Sequence, residues 1–394
     1  MEEQWSKKQS YFFELLNRNL ILAIIETVDG RVKSFRILDF LRETILSKSR
    51  EENFVQALTK ENAAKLPEGA RRLSILHLPH QVDMSQLWSS LLSKLRSLFW
   101  FEKGTSVTVS NCSSIVSKLL SGGLKVLDLE GAPLDTCPEQ ISNLFLLRYL
   151  SFRKTQVPRL NIPIGNLHSL VTLDLRQSYI TVLPSEIYKL HKLRHLLICQ
   201  YEDVVQGHSE TREKLRLLHN TETMCSIKIV EEEEGDLISE LGRLVQLRRL
   251  CLMNLRGQHG SSLCSSISKM QHLSSLTLHA SETIDLQRLS SPPQLLKRLY
   301  LTGQLVKLPS WVSSLCYLEV LHLINSQLTE DPLKSLYSLP SLIGLTLCDS
   351  FTGDLMIIPP GGFARLKYLL LRQPHETKLV VDRIAMPPLE LSLF

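Results

Sequence analysis

The chain has 394 residues, 43% of them hydrophobic and 22% charged, with a formal net charge of +5 and an isoelectric point near 8.7. No apolar run approaches the roughly 18 residues that a membrane-spanning helix needs, and the opening MEEQWSKKQSYFF lacks the basic start and long apolar segment of a secretory signal. The eight cysteines form no CxxC pair, so reduced thiols and a cytoplasmic location are expected.

A short apolar, helix-compatible stretch at residues 11–16 comes first. Residues 20–27, rich in β-branched side chains, and residues 31–37 flank Asp29-Gly30, and such a dipeptide between two strand-like runs is a strong hairpin signal. A helix is predicted from about Asp39 toward Ser47, with Asp39 as N-cap and Phe40, Leu41, Thr44 and Ile45 on helical spacing. Helix, hairpin and helix suggest a partial winged-helix element over residues 1–50, the tail of a longer domain. The charge-rich residues 51–67 read as a connector. Degenerate strands are expected at residues 70–78 and 95–101, at the start of a domain spanning 68–394.

From there one phrase recurs: an apolar residue, two variable ones, an apolar residue, one variable, and an apolar residue again. It opens at Leu124, Leu147, Leu170, Leu193, Met224, Leu247, Leu273, Leu296, Leu318, Leu342 and Leu366, and all three slots of each phrase are apolar. Most steps are 22 to 24 residues, with one of 26 and one of 31, the period of leucine-rich repeats. In LVTLDLRQSYITVLPSEIYKL, Leu173 and Leu175 alternate with Thr172, Asp174 and Arg176, as in a short strand with one buried face. Ile180, Leu183, Ile187 and Leu190 add apolar anchors, and Pro184 turns the chain back. No unit can bury its own leucines, so units stack and their strands pair side by side. The expected fold class is α/β: a solenoid with a curved parallel sheet, preceded by the partial winged-helix element. Cys137 stands where other units put Leu before Pro.

The long step contains a polar segment, residues 197–223, expected as a loop bulging from the solenoid, and Glu231 to Glu234 are expected to form a solvated loop. The sequon at Asn111 reads as accidental, and Gly122-Gly123 and Gly361-Gly362 read as turn glycines. There is no H-E-x-x-H, metal-spaced Cys/His set, calcium loop, G-x-S-x-G elbow or G-x-x-x-x-G-K-[ST] phosphate loop. His195, His279 and His322 fall on the open strand face, where they read as ordinary solvent-facing side chains. A non-enzymatic protein with no cofactor, metal or small-molecule substrate is expected.

Binding would then use the open, concave strand face, a large preformed surface. At the four variable positions in and beside each strand, Lys and Arg take twelve of 44 places and Asp and Glu four. At the three positions expected to face the concavity the ratio is six to three: Arg153, Arg176, Lys228, Arg249, Arg298 and Arg372 against Asp128, Glu130 and Asp174. Tyr149, Tyr300 and Tyr368 share this face, and Tyr with Arg is enriched at interface hot spots. An acidic protein partner fits such a face; charges that merely keep an open sheet soluble are the plainer reading. Nucleic acid is disfavoured, because residues 1–60 hold ten basic and nine acidic side chains and no helix there has a basic recognition face.

The stretch YFFELLNRNLILAIIETVDGRVKSFRILDFLRETILSKSREENFV resembles the last part of the nucleotide-binding (NB-ARC) region of plant intracellular immune receptors of the coiled-coil type. The repeats, with Leu183-Pro184 and Leu308-Pro309 turns, are similar to that family's cytosolic repeats. The resemblance implies a role in disease resistance, with a pathogen effector, a host target or an NB-ARC module as protein partner. It also implies a winged-helix Met-His-Asp motif whose His contacts the phosphates of ADP. The matching positions here are Ile37, Leu38 and Asp39, and Leu38 offers a phosphate neither a hydrogen bond nor a charge. With the phosphate loop also missing, no nucleotide binding is expected. The competing readings are a repeat adaptor or ubiquitin-ligase substrate receptor, which an F-box-like helical leader would have favoured, and a truncated receptor fragment with little activity of its own.

Overall fold

The computed structural model describes residues 2–26, 32–58, 70–76, 94–101, 123–180, 183–198, 221–228, 234–358, 360–373, 378–381 and 390–393. The chain opens with α1 (Glu2–Asn17), an antiparallel hairpin of β1 (Ile21–Glu26) and β2 (Val32–Ile37), and α2 (Asp39–Glu51). The alternation of the sequence therefore gave the right order of elements; the Asp29-Gly30 turn lies outside the described residues. Residues 11–16 are the apolar end of a longer helix, where Phe12 meets Phe35 of β2 edge-on with ring centroids 5.5 Å apart. Asn19, at φ 54°, turns the chain out of α1.

Asp39 is not the N-cap of α2. Leu38 holds that place in an extended conformation with no side-chain cap hydrogen bond, and Asp39 is the first helical residue, its carboxylate 3.4 Å from Arg36. An anion in the first turn suits the helix dipole, and so do Lys48 and Arg50 in the last turn, which carries α2 past Ser47 to Glu51. Ser49 Oγ donates to the carbonyl of Val55 and accepts from its amide, both at 3.1 Å, fixing the exit toward the repeats.

Among the described residues, fifteen strands then pair in parallel, in sequence order. They are β3 (Gln56–Leu58), β4 (Arg72–Ile75), β5 (Ser97–Trp100), β6 (Val126–Asp128), β7 (Tyr149–Ser151), β8 (Thr172–Asp174), β9 (His195–Leu197), β10 (Thr223–Lys228), β11 (Arg249–Leu255), β12 (Ser275–Ala280), β13 (Arg298–Thr302), β14 (Val320–Ile324), β15 (Gly344–Cys348), β17 (Tyr368–Arg372) and β19 (Glu390–Leu393). Between them β16 (Leu355–Ile358) and β18 (Lys378–Val381) form a separate two-stranded sheet. β4 and β5 lie where degenerate strands were expected. β3, however, falls inside residues 51–67, read as a connector; three residues are too few to show a period, yet Gln56 and Leu58 are buried.

The stacking logic holds. Leu170, Leu173 and Leu175 are at most 1% exposed, and the leucine slots of successive units join one continuous core. Behind the sheet, Pro138, Pro163, Pro184 and Pro309 each sit at the N-cap of a short 3-10 helix, where proline's fixed φ suits a helix start and its missing N–H costs nothing. Three units use α-helices there instead: α3 (Glu234–Leu241), α4 (Gly260–Ile267) and α5 (Leu333–Leu336). α3 and α4 touch through Ser266, whose hydroxyl donates to the carbonyl of Ile238 at 2.7 Å.

One repeat is framed differently from expectation. Met224 pairs in register with Leu196 and Leu250, the second slots of their repeats. The first slot is therefore Thr221, which is completely buried, and the phrase opens three residues earlier. A bulge in β10 between Met224 and Ile227 then restores the register. The steps become 28 and 26 residues, from Leu193 to Thr221 and from Thr221 to Leu247. Most of the polar segment between them lies outside the described residues, as do Glu231 to Glu233; Glu234 begins α3 rather than extending a loop.

Candidate functional site

Strand pairing arranges the open face in columns. The first runs Tyr149, Thr172, His195, Thr223, Arg249, Ser275, Arg298, Val320, Gly344 and Tyr368. From β11 onward the second runs Cys251, Thr277, Tyr300, His322, Thr346 and Leu370. Arg372 ends a third, in register with Cys348. Tyr149, Arg249, Arg298, Tyr300, Tyr368 and Arg372 thus share one surface, all at least partly exposed. Lys228 lies beyond the bulge, in register with Met253 at the strand's end rather than at mid-strand.

The N-terminal part of the face largely neutralises itself. Arg176 grips Asp174 with two nitrogens, Nε to Oδ1 at 2.9 Å and Nη2 to Oδ2 at 2.6 Å, and Asp174 is 1% exposed. Glu130 is shared by Arg153 at 3.3 Å and Lys154 at 2.7 Å. Buried or half-buried carboxylates with cations beside them hold side chains in place, and they leave little uncompensated charge for a partner. Tyr149 is pushed up to about 12, by burial first and then by Asp128 and Asp174, so it stays a neutral phenol. Burial also raises Asp128, outweighing hydrogen bonds from Ser151 and the Glu130 amide. Arg153 and Arg176 are thus half of a balanced cluster rather than a basic strip.

The C-terminal part is built otherwise. The Tyr300 and His322 rings meet edge-on, centroids 4.7 Å apart at 70°. Beside them in register stand small residues: Thr277 and Thr346 in their own column, Ser275 and Gly344 in the neighbouring one. A half-buried aromatic pair among small neighbours, with Arg298 beside it, is a shape that a complementary surface can key onto. The three face histidines are not ordinary solvent-facing side chains. Burial lowers His195 and His279, and it lowers His322 to about 4, with its Nε2 buried and lacking a hydrogen-bond partner among the described residues. The Tyr300–His322 contact was hidden in the sequence because the residues are 22 apart; one repeat length on an even column position would have found it.

Among the described residues no group of three or more His, Cys, Asp or Glu could hold a metal ion, and no helix is long and apolar enough to cross a membrane. Cys137, Cys251, Cys264, Cys316 and Cys348 are free thiols, and burial in the core pushes Cys137 up to about 12. In the leader, Ile37 ends β2, Leu38 is half-buried at the N-cap and Asp39 is exposed.

A family model described as a leucine-rich repeat region matches residues 94–394. The rice (Oryza sativa subsp. japonica) disease resistance protein Pik-2 is 28% identical over 97% of this chain and 42% of its own length. The Arabidopsis thaliana disease resistance protein RPM1 is 29% identical over 96% of this chain and 40% of its own. The chain thus spans about two fifths of the length of these relatives. Of solved structures, a Listeria monocytogenes internalin, InlF, matches with a TM-score of 0.52 over 83% of this chain and 85% of that one, at 18% identity, which shows a shared fold. Repeat period, parallel ladder and family match agree: the chain belongs to the leucine-rich-repeat family, and over nearly its whole length it is similar to plant disease resistance proteins.

Proposed function

We propose that the chain is a non-enzymatic recognition module of a cytoplasmic plant defence protein, which captures a pathogen effector or a host target on the open face of its sheet. The observation that carries this reading is the aromatic pair Tyr300–His322, set among small residues and beside Arg298 on a rigid parallel sheet. Aromatic and arginine anchors on a preorganised surface supply much of the binding energy in protein interfaces. The leader, in this reading, is the end of a winged-helix element, and its Ile37, Leu38 and Asp39 form a degenerate nucleotide-sensing motif that no longer senses. Similarity to disease resistance proteins supports the defence setting.

The test compares partner capture by the wild-type chain and two variants in infected plant tissue, with quantitative mass spectrometry of what co-purifies. A true partner is enriched by wild type and lost from Tyr300→Ala. Arg249→Glu with Arg298→Glu should weaken its binding about tenfold at low salt and less at high salt. A partner retained equally by both variants would rule out the open face as the recognition surface.

A further inference from the structure

Half of the twelve cations at the repeats' variable positions lie off the open face. One position after each opening slot, where the sheet begins, stand Lys125, Arg148, Arg194, Arg248, Lys297 and Lys367. They form a row held by backbone hydrogen bonds: the amide of Arg148 donates to the carbonyl of Lys125 at 2.8 Å, and the chain of such bonds runs on through Val171, Arg194, Glu222 and Arg248. Neighbouring backbone positions on this lip are therefore set at the strand spacing of roughly 4.8 Å. Two carboxylates interrupt the row, each held by the cation before it: Glu222 by Arg194, and Glu319 by Lys297 at 3.0 Å. The row stays basic, six cations to two carboxylates, and all but Arg194 of those cations are exposed.

Where the short, uncharged Val171 replaces a cation, the lip opens into a cleft of about 510 Å³. Arg148 and Arg194 form its sides along the row, and His191 and Lys192, from the turn before β9, add two more nitrogen-bearing side chains. The turns leading into the neighbouring strands expose large apolar groups: Phe145 at 55% and Leu146 at 51% on one side, Val245 at 43% on the other. Glu222 and Gln246 complete the lining, so three permanent cations and one histidine meet a single carboxylate there, and the exposed apolar side chains belong to the turns that lead into Arg148 and Gln246.

We propose that this lip is a second interaction surface, separate from the open face, which takes an acidic polypeptide segment carrying apolar side chains and anchors it in the cleft. A polyanion without apolar groups would leave Phe145, Leu146 and Val245 uncovered. Nucleic acid fits less well, because its phosphate backbone would leave Leu146 and Val245 uncovered and, of the three apolar groups, only Phe145 could stack a base. Protein carboxylates alternating with apolar groups meet both features at once, and the charge would set association rate and selectivity.

The full chain, titrated with a fluorescein-labelled glutamate-rich peptide containing interspersed leucine and tyrosine, tests the proposal by fluorescence anisotropy at several salt concentrations. Binding should weaken as salt rises, and Lys125→Glu with Arg148→Glu should weaken it about tenfold or more, while Arg249→Glu with Arg298→Glu leaves it within about twofold. The same peptide with glutamine for glutamate should not bind. Any one of three results overturns the proposal: no binding of the acidic peptide at low salt, equal binding by the lip variant, or an oligothymidylate of equal charge binding as tightly. Because the open-face variant is a separate arm, failure here leaves the open-face reading standing, and the reverse holds.

Discussion

His322 gives the open face a measurable pH signature. Its ring lies edge-on to Tyr300, its Nε2 has no hydrogen-bond partner among the described residues, and burial holds its pKa at about 4 against an ordinary 6.5. Between those values the unfolded chain carries the proton and the folded chain does not. The folded state is therefore at full strength above pH 6.5 and loses stability as pH falls through this window toward 4. At roughly 1.4 kcal/mol per pH unit, the loss from this residue between neutral pH and pH 5 is about 2 kcal/mol. His195 and His279 are shifted the same way by burial and steepen the trend. His322→Phe keeps an aromatic ring against Tyr300 and removes the titrating group. Denaturant unfolding followed by circular dichroism at a series of pH values should give a variant that is flatter than wild type by that amount. Parallel curves would refute the reasoning, showing that His322 is solvated well enough to accept its proton in the folded state.

Three further substitutions or titrations probe other parts of the molecule. Gly303 has φ +105°, and a Cβ there would stand 2.3 Å from the backbone oxygen of Ala280, so Gly303→Ala should cost about 3 kcal/mol, visible as a lowered unfolding midpoint. Thr221 occupies a leucine slot with its hydroxyl fully buried and unpartnered among the described residues. Thr221→Val keeps the shape, removes the orphan and should raise stability by about 1 kcal/mol; a loss of similar size would mean the hydroxyl is paired. Isothermal calorimetry with ADP or ATP should show no binding heat, since no phosphate loop is present and Leu38 replaces the expected histidine; a micromolar dissociation constant would contradict this.

The interior was legible because burial tolerates few substitutes. Leucines at slots that must face inward, at a period that must match one turn of the solenoid, leave a signal that survives degeneracy. Thr221 escaped because the segment before it breaks the period, and without the period only apolarity remains to choose the frame. Met224, Ile227 and Ile229 fill three slots on apolarity alone, whereas the true frame puts a threonine in the first. β3 escaped for a related reason, being too short to repeat anything.

Charge was harder to read than leucine because a count by position ignores pairing. Arg153 and Glu130 are one repeat apart on the same column position, and Arg176 lies two residues past Asp174, just beyond the end of β8. Both pairs follow from column arithmetic, and both turn apparent binding residues into a balanced cluster. What remains separates by physics. On the open face Tyr300 and His322 offer shape and aromatic surface, whose own contacts depend weakly on ionic strength, while Arg249 and Arg298 add a salt-sensitive part. The lip from Lys125 to Lys367 offers a net excess of cations, most of them exposed, beside apolar side chains, where contacts weaken as counterions screen them. If one partner engages both, substitutions on the lip should flatten the salt dependence of its binding, whereas Tyr300→Ala should lower affinity by a similar factor at every salt concentration.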